Sequence, residues 1–329
     1  MTLPRNDCSP RLFNEPQMGF IIFASPKSGT TWLQRLLSHH PEAICAESRA
    51  FGNYYDPNGL ATPHLTLEKY CQILSNYFAP ATPGLTPADT EFYRTLLFNL
   101  LDTTAATALV ALKKSIYGEK LTPYPATAAH AVEVLHAYHP EIKFVNLIRD
   151  GRDVIVSGAA QWLNHRVKRA PLAQRGTFEK ALREHTILPE DFDLFLNYWT
   201  DAVRAGLSAH GWFPNYLQLS YEQFVADPLS QAARLFEFLG IDANAGVVRA
   251  CVEATTFERL SGGRKRGAED LSSFFRKGAV GDWKNWFNDE QKVLFHQRAG
   301  DLLDELGYAG ERRIIGLAGQ SSIRHSLVG

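Results

Sequence analysis

The 329-residue sequence predicts an α/β fold: a central, mainly parallel sheet flanked by helices in three layers. Three observations predict it. Four short apolar runs lack a clean two-residue alternation, as strands covered on both faces do. Amphipathic helical patterns follow three of them. The first run enters its helix through a Gly/Ser/Thr turn that carries one lysine, which is the pattern of an anion-binding loop.

The strands are expected at "GFIIFA" (19–24), "TALVALK" (107–113), "KFVNLI" (143–148) and "NYLQLSY" (215–221). The helices are expected at 30–38, with Trp32, Leu33, Leu36 and Leu37 on one side, at 153–163, and at "PLSQAARLFEFL" before the stop at Gly240. Residues 52–92, rich in Pro, Thr and Tyr, and 164–191, charged and holding two prolines, read as acceptor-side insertions. The expectation is one domain over 1–329 with its core at about 19–308, residues 1–16 and 310–329 being weakly anchored ends.

Composition narrows the function classes. Lys and Arg number 34 against 35 Asp and Glu, a net charge of -1, so any anion site must be local and no general affinity for nucleic acid is expected. The four cysteines form no C-x-x-C pair, which argues against a zinc site or a disulfide framework and fits a reducing cytoplasm. The amino terminus has no apolar leader core and no uninterrupted run of 18 apolar residues occurs, so neither a signal peptide nor a membrane span is expected.

The turn is "FASPKSGTTW". A Walker loop places lysine directly after its last glycine, whereas Lys27 comes two residues before Gly29. The loop is P-loop-like without being that of a nucleotide triphosphatase. Gly29 permits close backbone approach, Ser28, Thr30 and Thr31 supply hydroxyls, and the helix beginning near Thr30 offers unpaired N–H groups.

"PKSGTTW" resembles the 5′-phosphosulfate loop of sulfotransferases that use 3′-phosphoadenosine 5′-phosphosulfate (PAPS). "LIRDGRDVIVSGAAQW" (147–162) resembles that family's 3′-phosphate element, and "FFRKGAVGDWKNWF" (274–287) its C-terminal loop. The resemblance spans about 19–308 and implies PAPS as donor, PAP as product, and no metal, since lysines and helix amides supply the charge. Two separate phosphates call for two anion sites, rich in Arg, Lys and backbone N–H. The resemblance assigns Lys27, Ser28, Gly29, Thr30 and Thr31 to the phosphosulfate. It assigns Arg149, Ser157, Phe274, Arg276, Lys277 and Gly278 to the 3′-phosphate side, and Trp32, Tyr221, Thr255 and Phe257 to adenine.

Lys27, and a second family lysine matched by Lys113, are the expected catalytic cations. Ser115, in "KKSIYG", takes the place of the histidine that steroid and phenol sulfotransferases use as base. Glu47, in "HHPEAICAESRAF", resembles the glutamate base of the protein-tyrosine, heparan and some bacterial branches; Glu119, His39, His40 and His130 are alternatives. The expected acceptor is a hydroxyl, or less readily an amine, of a small or carrier-bound molecule. A small-molecule kinase with a P-loop and a catalytically inactive nucleotide-binding protein are the competing readings.

Overall fold

The computed structural model describes residues 12–308 except 57, 59, 82–85 and 87–89. Cys8, most of both expected loose ends and part of the first expected insertion lie outside the described residues. The described residues gather into two compact units, each discontinuous in sequence: those up to 149 with 201–265, and 150–200 with those from 266 on.

The first unit holds a five-stranded parallel sheet. In chain order its elements begin with β1 (Met18–Phe23), α1 (Thr30–His39) and β2 (Ala43–Glu47). A small antiparallel pair follows, β3 (Asn53–Tyr55) with β4 (Ala61–Leu65), then α2 (Thr66–Phe78) and α3 (Thr90–Leu112). Next come β5 (Ile116–Leu121), α4 (Ala128–Tyr138) and β6 (Lys143–Ile148). The second unit takes α5 (Gly151–Arg169), α6 (Leu172–Arg183) and the start of α7 (Pro189–Ser208). The chain then adds β7 (Tyr216–Ser220), α8 (Tyr221–Ala226), α9 (Pro228–Leu239), α10 (Ala245–Ala254) and α11 (Phe257–Leu260) to the first unit. In the second unit α12 (Asp289–Glu305) closes the described chain.

The strand order β2-β5-β1-β6-β7 puts β1 at the centre. Its side chains alternate between two apolar layers, Ile21 and Phe23 with α3 and α4 residues on one face, Phe20 and Ile22 with α1, α9 and α10 residues on the other. Burial on both faces explains why β1 and β6 read as unbroken apolar runs. Helix ends follow their local chemistry. Asp227 caps α9 by accepting the Ser230 N–H, Pro228 stands at its start, and Gly240 ends it at φ 68.

One expected strand is not a strand. Residues 107–113 form the end of α3 and the turn after it, and the strand paired with β1 is β5, nine residues further on. The branched residues of "TALVAL" suggest a strand, but Phe98, Asp102 and Ala105 are buried at helical spacing, so a long helix wins over a short strand. β5 was disguised by Gly118, Glu119 and Lys120 within its run; Gly118 is required, since a Cβ there would fall 2.4 Å from the Phe20 ring.

Among the described residues α3 is the one helix long and apolar enough to cross a membrane by length and composition. Its buried Asn99 and Asp102 accept the backbone N–H groups of Leu12 and Gln17, and the Tyr138 hydroxyl also donates to Asp102.

In the second unit Trp199 packs on Phe295, and Phe287 on Phe192 and Phe295. α5 approaches these rings through glycines: a Cβ on Gly151 would meet Trp199 at 2.4 Å, and one on Gly158 would meet Phe195 at 2.3 Å.

Candidate functional site

In the first unit the anion loop leaves the carboxyl end of β1. The Ala24 N–H donates to the Leu121 carbonyl (3.1 Å), so the loop departs beside the end of β5, and Ser28 N–H closes a turn on the Ser25 carbonyl (3.3 Å). Two residues then take left-handed backbone, Lys27 at φ 69 and Gly29 at φ 95. For lysine this conformation costs on the order of 1–2 kcal/mol, so its surroundings must enforce it. The surroundings are visible: Arg149, directly after β6, donates from a terminal nitrogen to the Lys27 carbonyl (2.8 Å). The same guanidinium lies over the Tyr221 ring, 4.3 Å from its centroid. Tyr221 also explains Gly29, where a Cβ would come within 2.6 Å of that ring.

Gly29 caps α1 without any side-chain hydrogen bond, and no acidic residue stands in the helix's first turn. The N-terminal amides and the positive end of the helix dipole therefore face the loop uncompensated by side-chain charge in that turn. The Ser28 hydroxyl is buried with no hydrogen-bond partner. A buried orphan hydroxyl beside a left-handed glycine and the start of a helix is the donor set an anionic oxygen would complete. Thr30 and Thr31 begin α1, and Trp32 meets the edges of Tyr221 and Phe224 at 6.0 and 5.2 Å. The structure thus joins Lys27, Ser28, Gly29, Trp32, Arg149 and Tyr221 in one set. Thr255 and Phe257 sit where α10, which packs on α1, passes into α11. Thr255 is buried and donates to the Cys251 carbonyl (2.9 Å), and Arg264 lies 5.6 Å over Phe257.

In the second unit Ser157 is half-buried on α5. One turn earlier the buried Asp153 accepts the backbone N–H groups of Gly281 (2.7 Å) and Trp283 (3.0 Å), tying the C-terminal loop to that helix. Arg276 and Lys277 converge on Asp282 at 2.6 Å each. Burial by itself would raise the Asp282 carboxyl, but hydrogen bonds from Lys277, Asn285 and Arg276 outweigh it and hold the group down at about 2. Gly278 takes φ 64, its carbonyl accepting from Arg266 (2.6 Å). Phe274 is largely exposed against Phe275.

A family model described as "Sulfotransferase domain" matches residues 18–307. The chain belongs to the sulfotransferase family. It is 26% identical to cytosolic sulfotransferase 1 of Arabidopsis thaliana over 84% of this chain and 76% of that protein. It is 30% identical to flavonol 4′-sulfotransferase of Flaveria chlorifolia over 50% of this chain and 52% of that one. Among solved structures, mouse sulfotransferase SULT7A1 complexed with PAP is similar over 94% of this chain and 90% of its own, at 16% identity and a TM-score of 0.50, which supports the shared fold.

The strand register sets one expected catalytic residue apart from the loop. Lys113 is exposed in the turn after α3, at the amino edge of the sheet. Its neighbours tie that edge together: Lys114 donates to the His40 carbonyl (2.6 Å), and Ser115 to the Glu42 carbonyl (3.2 Å). Lys27 follows β1 at the opposite, carboxyl edge. Since β1 and β5 run parallel with aligned ends, a strand of six residues, about 20 Å, separates the two. Neither Lys113 nor Ser115 stands at the loop.

Lys120, which the sequence reading passed over, lies near the carboxyl end of β5, in register with Ile22 of β1 and Glu47 of β2. Its ammonium is buried and lies 2.7 Å from the Glu47 carboxylate, which stays 40% exposed. A lysine followed at once by "LTP" at a strand end was the available signal. On the other face of β5, Tyr117 donates to Glu119 (2.9 Å), which is buried. Burial raises the Glu119 carboxyl, while the Tyr117 and Ser48 hydroxyls oppose that rise.

The histidines have local roles. His40 accepts the Glu42 N–H on Nδ1, so Nε2 carries the proton it donates to the Asp242 carbonyl (2.9 Å). His39 Nδ1 bonds the Arg35 carbonyl, and His130 lies between Glu68 and Glu133. Among the described residues no group of three His, Cys, Asp or Glu is placed to hold a metal ion.

Proposed function

We propose that this sulfotransferase moves a sulfuryl group from PAPS in line onto a hydroxyl of a small-molecule or carrier-bound acceptor. The observation that carries the reading is the turn at 24–31. Its left-handed Lys27 and Gly29, orphan Ser28 hydroxyl and open helix start form an anion cradle with a single lysine inside it. Bound PAPS supplies an electrophilic sulfur and a phosphate leaving group. Lys27 is assigned to the bridging oxygen, where negative charge grows in the transition state, and Ser28, Gly29, Thr30 and Thr31 to the phosphosulfate oxygens.

Trp32, Tyr221, Thr255 and Phe257 are assigned to adenine, and Ser157, Phe274, Arg276, Lys277 and Gly278 to the 3′-phosphate side. Arg149 is assigned, as expected from the sequence, to the 3′-phosphate side, and one of its terminal nitrogens also holds the Lys27 carbonyl.

Glu47 takes the acceptor proton. Its carboxylate stands at the carboxyl end of β2, partly exposed and steered by Lys120, whereas Glu119 is buried on the other face of β5. A cytoplasmic setting accords with the name of the Arabidopsis relative.

Two measurements test the reading. PAP at about 100 times its Kd should stabilise the protein by roughly 2.7 kcal/mol; a larger shift from ATP with magnesium would overturn it in favour of a kinase. A labelled-donor assay over phenols, steroids, alkyl alcohols, sugars and amines, with mass spectrometry of the products, should give an O-sulfated product. Transfer should vanish in Glu47→Gln and persist in Glu119→Gln.

A further inference from the structure

The loop assigned to the 3′-phosphate already holds an anion of its own. Residues 267–270 pair with 276–277 through backbone bonds: the Gly267 N–H donates to the Lys277 carbonyl and the Asp270 N–H to the Arg276 carbonyl, each at 2.9 Å. This pairing brings Glu269, which lies outside every motif, onto the guanidinium of Arg276. Arg276 therefore has carboxylates on both terminal nitrogens, Glu269 on one and Asp282 on the other.

The two carboxylates are not equivalent. Asp282 is almost wholly buried and also bound by Lys277 and Asn285, so it belongs to the fixed frame. Glu269 keeps a fifth of its side chain exposed and already has a second partner. Its other oxygen is 3.1 Å from His185 Nε2. The His185 ring stacks on Trp286 at 4.5 Å and 18°, so that partner is itself held in place. Glu269 can thus leave Arg276 without becoming a stranded buried charge.

We infer that Glu269 sets the affinity for the donor by occupying, in the ligand-free enzyme, the guanidinium face that a 3′-phosphate takes. A phosphate offers three acceptor oxygens and nearly two negative charges, so it outcompetes one carboxylate for the same fork. Displaced, Glu269 stays on His185, which already holds its other oxygen. The exchange makes donor and product binding weaker than the cationic loop alone would give, which favours release of PAP. The inference rests on the proposed assignment of Arg276 to the 3′-phosphate.

The test is calorimetric titration of PAP into the full chain for wild type, Glu269→Gln and Arg276→Ala, with a melting curve of each without ligand. Glu269→Gln should bind PAP up to about fivefold tighter, the worth of one partly exposed ion pair, while its own melting temperature falls. A group that merely ordered the loop would lower both. Glu269→Asp, which retracts the carboxylate but keeps its charge, should shift affinity the same way by less and serves if the glutamine variant fails to fold. If Arg276→Ala weakens PAP and neither Glu269 variant tightens it, the inference is overturned and the proposed function stands. If Arg276→Ala leaves PAP affinity unchanged, the 3′-phosphate assignment falls and takes the inference with it.

Discussion

The anion loop of the first unit and the cationic loop of the second handle charge in opposite ways. At residues 24–31 the binding groups are largely backbone: a helix start, two left-handed residues and a buried hydroxyl, with Arg149 holding a carbonyl from one nitrogen and lying over an aromatic face. At residues 266–283 the cations are side chains already paired with Glu269 and Asp282. The first loop invests in fixed geometry, the second in charge that can be exchanged. The lesson is chemical. The group that reacts needs dipoles that do not reorganise during transfer, whereas the group that only anchors needs affinity that can be tuned.

The largest effect expected from this contrast is at Lys27. Lys27→Ala should lower kcat by about 10²–10³, roughly 3–4 kcal/mol, because it removes a cation aimed at the developing charge. PAP affinity should change only a few-fold, since the backbone cradle remains. Equal losses in PAP affinity and kcat would break the division between geometry and charge. Gly29→Ala should act on the geometry instead, as the new methyl needs φ near 95° and lies 2.6 Å from the Tyr221 ring. Chemical denaturation should show a loss of about 1–3 kcal/mol, with weakened PAP binding. Adding Tyr221→Leu should recover the part due to the ring and leave the part due to the backbone angle.

The geometric half was the more legible in the sequence. Lys27, Ser28, Gly29, Thr30 and Trp32 were readable because glycine, hydroxyls and an amphipathic helix follow an apolar strand in unbroken order, and local order is what a sequence displays. What it hid were partners brought in from afar. Nothing near Arg149 announces that it will hold the Lys27 carbonyl, 122 positions away. Glu269 was invisible because its meaning comes from a backbone pairing within an irregular loop. The displaced strand had another cause: Thr107 and Val110 favoured a strand over 107–113, which moved the expected strand nine residues and set Lys113 at the strand end where Lys120 stands.

Asp282 gives a smaller, pH-dependent effect in the second loop. Its folded pKa of about 2 lies below the ordinary 3.8, so its stabilisation is complete above the ordinary value and is lost as pH falls through about 2. The difference in stability between wild type and Asp282→Asn should be on the order of 2 kcal/mol near neutrality and shrink across that acid window. A difference that stays constant from pH 5 to 2 would show that the ion pairs with Arg276 and Lys277 do not supply it.

The smallest effect is the sharpest test of where the first loop's second cation stands. Lys113 is exposed at the amino edge of the sheet, about 20 Å of strand from the loop, so Lys113→Ala should leave kcat/KM within about twofold of wild type. Lys120→Ala, made beside it, removes a buried ammonium 2.7 Å from Glu47 and should cost at least tenfold in kcat/KM, at a loss of stability that the melting curve reports separately. The pair works as its own control, since both variants delete one lysine and one positive charge from the same unit. If Lys113→Ala is the damaging one, its ammonium must reach the carboxyl edge, which a parallel β1–β5 pairing with Met18 opposite Tyr117 and Phe23 opposite Leu121 forbids. The register of the central strands, and with it the assignment of Glu47 as base, would then have to be redrawn.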